Sequence, residues 1–240
     1  MRTVVAILGW GAFFASTLVH GVGILLSVLM VWDRERRFAL VASRWCWGSL
    51  FMWLNPFLSV ERRGVERAAE GPYIIVANHQ SVTDIPCVVG LPLPVRIVAR
   101  EGVAKVPVLG TFLRLARHLV ADDDLLQRGQ ASLDAGISLL IFPEGTRSVD
   151  GSLRRFRGGA FHLANKTGVK LLPVVVDGGR FAVPKGRWRP DFFPVPLRLQ
   201  VLDPVDPADF DSPLALRKAV QSSMREALTV MQEGDGAIQI

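Results

Sequence analysis

The sequence predicts an α/β fold, in which a mainly parallel sheet is flanked by helices and preceded by N-terminal membrane helices. Half of the 240 residues are hydrophobic, and residues 4–32 contain no charged side chain. After residue 60, short β-rich runs alternate with segments long enough for crossover helices, which is typical of a parallel sheet. Residues 61–240 show no internal repeat or low-complexity linker. We therefore predict membrane-anchoring helices in residues 1–60 and one domain in residues 61–240.

The first apolar run is long enough to cross a hydrocarbon core of about 30 Å at a rise of about 1.5 Å per residue. A cleaved signal peptide would be followed by polar mature sequence. Here the charged residues 33–37 lead instead into another apolar run. We therefore expect the first segment to be retained as a membrane helix.

The second apolar run, residues 38–60, mixes Arg44 and the Asn55-Pro56 pair with several tryptophans. Such a mixture is typical of the headgroup region, although its hydrophobicity also permits a second span. Two spans would leave the arginines of residues 33–37 on the outer side, against the usual bias. We favour one span followed by a helix on the surface of the inner (cytoplasmic) membrane, with the remaining domain facing the cytoplasm.

The net charge of +6 is spread along the chain, and aromatic residues are sparse after residue 61. This pattern predicts no nucleic-acid partner and favours an anionic membrane surface or a small anionic substrate. Cys46 and Cys87 have no disulfide or metal spacing, and the acidic residues 122–124 lack further ligands spaced around them. We expect no metal and no cofactor.

Periodicity predicts five strands and two helices after residue 70. One helix ends at Gly168, and the last opens at Ser212-Pro213 and ends near Gly234. The strands are predicted at residues 73–77, 95–99, 138–142, 171–176 and 197–202, the first helix at 159–167, and the apolar face of the last helix at Leu216, Val220, Met224, Leu228 and Met231.

His79 follows the first of these strands, at the edge where open α/β sheets place ligands. Asp84 comes five residues later, near the start of a predicted helix, so the chain can fold back and bring the carboxylate to the imidazole. A carboxylate on one ring nitrogen leaves the other free to take a proton from an alcohol. The alternative for His79 alone is a strand-end histidine bonded to backbone.

A second polar turn, residues 143–148, follows the strand at 138–142. Gly145 lets backbone approach a ligand closely, and Arg147 offers a planar fork suited to two phosphate oxygens. Three arginines follow in residues 154–157, before a glycine-rich helix start that also favours an anion. Taken alone, this cluster is equally consistent with a tight turn that carries solvated charges.

Together the two clusters resemble the glycerolipid acyltransferase family, bacterial lysophosphatidic acid acyltransferases above all. The resemblance covers about residues 60–205 and implies a glycerol-3-phosphate acyltransferase-like fold, with residues 61–240 as the acyltransferase domain. The four family motifs stand in order at residues 79–84, at Arg100, Val103, Pro107 and Gly110, at residues 142–148, and at residues 172–175.

The resemblance implies a role for each matching residue. His79 deprotonates the acceptor hydroxyl, Asp84 orients His79, and transfer is direct, without a covalent acyl-enzyme. The sequence agrees, since it has no Gly-x-Ser-x-Gly elbow. The residues implied in binding the glycerol phosphate are Glu144, Gly145, Thr146, Arg147 and Arg100, which stands where the family usually has lysine, with Lys105 as an additional candidate.

The resemblance implies acyl transfer from acyl-CoA or an acyl carrier protein to the sn-2 hydroxyl of 1-acyl-glycerol-3-phosphate, giving phosphatidic acid in a phospholipid bilayer. Another lysolipid acceptor, such as lyso-ornithine lipid or a lysophospholipid, is an alternative within the same chemistry. A thioester hydrolase and a non-catalytic lipid-binding membrane protein are two further alternatives.

Overall fold

The computed structural model describes residues 2–30, 32–55, 57–107, 109–191 and 194–233. Within these residues, strands form a seven-stranded sheet in the order β1-β7-β6-β2-β5-β3-β4. The strands are β1 (Leu58–Arg63), β2 (Ile74–Ala77), β3 (Val95–Ala99), β4 (Leu119–Val120), β5 (Ser138–Ile141), β6 (Leu171–Asp177) and β7 (Val195–Val201).

Helices cover both faces of this sheet and precede it. In the described residues the α-helices are α1 (Arg2–Leu29), α2 (Arg37–Ser43), α3 (Met52–Leu54), α4 (Asp84–Val89), α5 (Glu101–Ala104), α6 (Leu109–Leu115), α7 (Leu125–Asp134), α8 (Gly159–Thr167), α9 (Gly179–Ala182) and α10 (Pro213–Glu233).

The sheet is parallel except where β6 meets β7, which is an antiparallel pair. The central strands β2 and β6 are buried on both faces, as their continuous apolar sequences predict. The predicted mainly parallel α/β fold is therefore confirmed, and the five predicted strands are present with ends shifted by up to two residues.

The two helices predicted after residue 70 are also present. Helix α8 has its predicted bounds, and Gly168 follows it in the left-handed conformation (φ 70°). Helix α10 turns Leu216, Val220, Met224 and Leu228 into the core against β6 and α8. Its expected end near Gly234 lies outside the described residues.

Residues 38–60 do not form one helix. A π-helix, Arg44–Phe51, continues α2 into α3, and β1 then begins at Leu58. Strand β1 was missed because its first residues complete an apolar run. Of the described helices, only α1 is long and apolar enough to cross a membrane, by length and composition.

Helix α1 lies against the rest of the molecule along its length. Near its start, the Trp10 indole N–H donates to the Trp188 carbonyl (2.9 Å). After its end, the Glu35 carboxylate pairs with Arg96 at the start of β3 (2.8 Å). Within the helix, His20 Nε2 lies 2.6 Å from Ser43 Oγ and joins α1 to α2. Both ends of α1 are thus attached to the same globular body.

Candidate active site

The carboxyl ends of the central parallel strands bring the polar residues of the chain together. Strand β2 leads into Asn78 and His79, and the neighbouring β5 leads into residues 143–147. Strand β3 ends immediately before Arg100, and β6 ends at Asp177. The Asn78 side chain donates to the Val176 carbonyl (2.8 Å) and accepts from the Val176 N–H (2.7 Å). This pair fixes the end of β2 to β6 directly before His79.

The predicted contact between His79 and Asp84 is present. His79 Nδ1 lies 2.9 Å from Asp84 Oδ2, and Asp84 is the first residue of α4. The same oxygen accepts the backbone N–H groups of Gln80 (2.6 Å) and Ser81 (2.7 Å). Because the carboxylate is fully buried and held by backbone, its position relative to the imidazole is fixed.

The His79 ring is packed on one face and open at its edge. It stacks on Phe142 with ring centroids 4.2 Å apart, and the side chain remains 17% exposed. With Nδ1 directed to Asp84, Nε2 is the ring nitrogen available to a ligand. The arrangement suits an imidazole that takes a proton from a bound hydroxyl through Nε2.

Glu144 connects the two motifs. Its Oε1 accepts the His79 backbone N–H (2.8 Å) and its Oε2 accepts the Arg154 N–H (3.1 Å). Burial raises the pKa of Glu144 to about 7, although both backbone N–H groups act to lower it. The Ser148 N–H also donates to the His79 carbonyl (2.7 Å). The Glu144 carboxylate is therefore directed at backbone, in a position to brace the turn.

Cations surround the other side of this turn. Arg100 Nη1 donates to the Gly145 carbonyl (3.2 Å). Gly145 has φ 68°, and a Cβ there would lie 2.9 Å from the Arg157 guanidinium carbon, so the turn needs glycine. Lys185 Nζ donates to Thr146 Oγ1 (3.2 Å). The turn thus offers a positively charged surface next to His79.

Arg147 and Lys105, two of the predicted phosphate-binding residues, have different surroundings. The Arg147 side chain is partly exposed at the turn. Lys105 is exposed and pairs with Glu101 one helical turn earlier (2.7 Å), and the described hydrogen bonds and ion pairs do not join it to the turn. The structure brings Arg100 and Arg147 to the turn and leaves the role of Lys105 a prediction.

Asp177, at the end of β6, is a buried carboxylate that binds the residue next to His79. Asp177 accepts hydrogen bonds from Gln80 Nε2 (3.2 Å) and Gln232 Nε2 (3.1 Å), and Arg198 lies 2.6 Å from its other oxygen. Burial alone would raise the pKa of Asp177, but these hydrogen bonds and the charge of Arg180 hold it below its usual value. Gln80 is thereby fixed beside His79.

Gly179 lies directly against Asp84 and Ser81. A Cβ at this position would lie 2.5 Å from Asp84 Oδ1 and 3.0 Å from Ser81 Cβ. Within the described chain, Asp84 Oδ1 is buried without a hydrogen-bond partner. The backbone of Gly179 therefore packs directly on the carboxylate that orients His79.

An apolar cavity, partly open to solvent, adjoins the site. One wall is formed by α1, including Trp10 and Phe13. The lining also includes Val82 and Thr83, which directly precede Asp84. The cavity therefore connects the N-terminal helix to the catalytic segment.

Among the described residues, no group of three or more His, Cys, Asp or Glu side chains is arranged to hold a metal ion. In the acidic run of residues 122–124, Asp122 pairs with Arg128. This ion pair gives Asp122 a partner on α7.

Three residues at the site were missed by the sequence analysis, namely Asp177, Gly179 and Lys185. The first two follow directly from the end of β6, so the carboxyl-edge rule that found His79 also pointed to them. Lys185 lies in an irregular loop beyond α9, and its contact with Thr146 spans 39 positions in the chain. Local pattern carries no signal for such a contact.

A sequence profile of the family described as Acyltransferase matches residues 59–177. The 1-acyl-sn-glycerol-3-phosphate acyltransferase of Limnanthes alba is 30% identical over 82% of this chain and 73% of its own length. The chloroplastic 1-acyl-sn-glycerol-3-phosphate acyltransferase BAT2 of Brassica napus is 32% identical over 70% of this chain and 54% of its own length. The chain thus spans about half the length of several of the curated relatives that it matches.

A solved structure is similar over nearly the whole chain. The crystal structure of the 1-acyl-sn-glycerophosphate (LPA) acyltransferase PlsC from Thermotoga maritima has a TM-score of 0.79 and 31% identity. The match covers 97% of this chain and 98% of that one, so it includes the N-terminal helices.

Proposed function

The chain belongs to the acyltransferase family, and from this premise we propose that it transfers an acyl group to the sn-2 hydroxyl of lysophosphatidic acid, giving phosphatidic acid. One observation carries the proposal. The His79 and Asp84 pair, 2.9 Å apart, lies at the same sheet edge as a turn surrounded by Arg100, Arg157 and Lys185. A base next to an anion site suits an acceptor that joins a hydroxyl to a phosphate.

The mechanism follows from the position of His79. Its Nε2 takes the proton of the acceptor hydroxyl while Asp84, on Nδ1, stabilises the imidazolium that forms. The hydroxyl oxygen forms the new ester bond with the thioester carbonyl carbon, and the carbon–sulfur bond breaks. The imidazolium returns its proton to the departing thiolate. The step is direct transfer and needs no covalent acyl-enzyme.

The donor is an acyl thioester of coenzyme A or of an acyl carrier protein. The apolar cavity beside Val82 and Thr83 suits the hydrocarbon chain of either substrate, because the thioester and lysophosphatidic acid each carry one.

The membrane supplies the acceptor. The outer face of α1 exposes large apolar side chains such as Leu18 (72%) and Leu25 (57%), and Trp45 and Trp53 are exposed on the following helices. Apolar side chains and tryptophans in this arrangement suit insertion into a bilayer. We infer that the protein binds the inner membrane through these helices, with the catalytic domain on the cytoplasmic side.

The experiment is an acylation assay of the purified protein in mixed micelles. Acyl-CoA and acyl carrier protein donors are tested against lysophosphatidic acid, lysophosphatidylcholine, lyso-ornithine lipid and water. We expect the highest kcat/KM with lysophosphatidic acid, and we expect His79→Ala to lower kcat by about a thousandfold or more.

His162, exposed on α8, provides the matched control, because His162→Ala changes the same residue type and none of the described hydrogen bonds or ion pairs joins its side chain to His79 or Asp84. Preference for another lysolipid would replace the acceptor in the proposal. Thioester turnover that does not depend on a lysolipid would indicate a hydrolase. Activity of His79→Ala close to that of wild type would exclude His79 as the base.

A further inference from the structure

We propose that Lys185 is a direct ligand of a phosphate monoester, and that this phosphate belongs to the acyl acceptor. The inference rests on the proposed function and adds to it a residue outside the four family motifs. Lys185 lies in the loop of residues 183–191, which joins α9 to the stretch before β7.

The loop is attached to the catalytic segment at its base. Ser81 Oγ donates to the Val183 carbonyl (3.2 Å), and the Asp191 N–H donates to the Phe181 carbonyl (2.8 Å). The loop therefore starts and ends close to the first motif. Lys185 is only two residues beyond Val183. The contact between Val183 and Ser81 therefore limits where the Lys185 backbone can lie.

The Lys185 ammonium group is directed at the cationic turn. Nζ donates to Thr146 Oγ1 (3.2 Å) and lies 3.5 Å from the Arg147 carbonyl oxygen. Both partners are uncharged oxygens. An ammonium group has three donors and no acceptor, so these contacts orient Lys185 and leave a donor for a further oxygen.

The charge of Lys185 is not neutralised within the described part of the chain. Ion pairs there join Lys105 to Glu101 (2.7 Å) and Arg187 to Asp191 (2.8 Å), but none involves Lys185. The nearest carboxylate of the turn, Glu144, is buried and bonded to backbone. A phosphate dianion would supply the missing negative charge between Lys185, Arg147 and Arg100.

The same loop also lines the apolar cavity, through Val183, Trp188 and Pro190. One loop therefore contacts both a place for an acyl chain and a place for a phosphate. In lysophosphatidic acid only a glycerol unit separates these two groups, whereas in an acyl-CoA the phosphates lie at the far end of the pantetheine arm. This geometry favours the acceptor phosphate as the partner of Lys185.

The test uses the full-length protein in mixed micelles and compares Lys185→Gln with Lys185→Arg. Glutamine keeps a donor for Thr146 but removes the charge, so it separates phosphate binding from bracing of the turn. Lys166→Gln, on the exposed surface near the end of α8, is the matched control. The KM for lysophosphatidic acid and the KM for acyl-CoA are measured separately, each with the other substrate saturating.

We expect Lys185→Gln to raise the KM for lysophosphatidic acid roughly tenfold, the scale of one hydrogen bond to a charged group. The KM for acyl-CoA and the kcat should change less than twofold. Lys185→Arg should recover most of the loss, and Lys166→Gln should behave as wild type.

Three results would overturn the inference. An unchanged KM for lysophosphatidic acid in Lys185→Gln would remove Lys185 from the phosphate site. A rise confined to the KM for acyl-CoA would assign Lys185 to the donor. Failure of the wild type to acylate lysophosphatidic acid would refute the proposed function itself, and the inference with it.

Discussion

Gly179 is a single residue whose lack of a side chain leaves room for the Asp84 carboxylate. A methyl group there would lie 2.5 Å from Asp84 Oδ1, well inside van der Waals contact. Asp84 cannot retreat easily, because its other oxygen holds His79, Gln80 and Ser81. A side chain at this position must displace either the α9 backbone or the carboxylate.

We expect Gly179→Ala to lower kcat at least tenfold, since a small displacement of Asp84 misdirects the imidazole. Gly159→Ala is the control, because a Cβ at Gly159, also the first residue of a helix, meets no atom within 4 Å. Steady-state kinetics on folded, monodisperse protein measures the effect. Equal kcat values for the two variants would contradict the close packing described at Gly179.

Glu144 makes stability depend on pH. Burial raises the pKa of this carboxyl from 4.5 to about 7, so the native state favours the protonated form. Its stabilising contribution is full below about pH 4.5 and is lost as the pH rises through about 7. Above that pH the folded protein must hold a buried negative charge.

The predicted result is that wild type loses roughly 2 to 3 kcal/mol of unfolding free energy relative to Glu144→Gln between about pH 5 and about pH 8. Denaturant titrations of both proteins in the same detergent give the difference. Glu226→Gln, at an exposed position on α10, should show no such change relative to wild type. A pH-independent difference between wild type and Glu144→Gln would disprove the titration of Glu144.

The local sequence was sufficient to locate His79, Asp84 and Arg147, but it was not sufficient to locate Lys185. His79, Asp84 and Arg147 could be found because short spacing and strand ends determine where they lie. The bonding of Glu144 to backbone could not be predicted, because it depends on the chain bringing the Arg154 N–H back to the turn. Lys185 depends on the path of a loop, which no periodicity describes.

Between elements, a glycine pair joins the N-terminal helices to the catalytic helix. A Cβ at Gly48, in the π-helix, would lie 2.3 Å from the Gly90 Cα at the end of α4. Arg62 of β1 also donates to the Gly48 carbonyl (3.1 Å). Because Asp84 begins α4, this contact couples the N-terminal helices to the site.

We expect Gly48→Ala to force α4 and the π-helix apart and to lower stability by about 1 to 3 kcal/mol, the usual cost of overpacking. The melting temperature in detergent and the kcat should both fall. Gly11→Ala, on α1, is the matched control because a Cβ there meets nothing within 4 Å. Equal melting temperatures for the two variants would show that α4 is not packed against this helix.

The elements predicted from sequence were those with strong patterns. Strands β2, β3, β5 and β6 have mainly apolar sequences and were found with small errors at their ends. Strand β4 has only two residues and gives no pattern, and β1 is an edge strand whose exposed residues alternate with half-buried ones. The antiparallel direction of β7 depends on the loop before it, so strand propensity did not reveal it.

At the scale of the whole molecule, α1 is a long apolar helix fixed along the catalytic domain. It is about 42 Å long at about 1.5 Å per residue. Arg189 donates to Thr3 Oγ1 at one end (3.3 Å), and Arg37 donates to the Ala135 carbonyl beyond the other. A helix held in this way turns one side to the protein and leaves the other, which carries exposed apolar side chains, free for the proposed contact with lipid.

We expect the double substitution of Leu18→Glu and Leu25→Glu to reduce the membrane-bound fraction several-fold, because charged side chains at the bilayer are costly. Both leucines are more than half exposed, so the folded core should be unaffected. Leu214→Glu, at an exposed position on α10, is the control. Flotation with liposomes that contain anionic lipid measures binding, and unchanged flotation of the double variant would exclude this face as the membrane contact.

If the protein binds the membrane through α1 as proposed, the attachment of both ends of α1 to one body restricts the enzyme to a single monolayer. Acceptor enters and product leaves on the side that faces the catalytic domain. On the proposed reaction each turnover adds a second chain to a lipid of that monolayer, so the monolayer expands in its tail region while the opposite one does not. Balanced growth of the bilayer then needs a separate process that moves lipid across it.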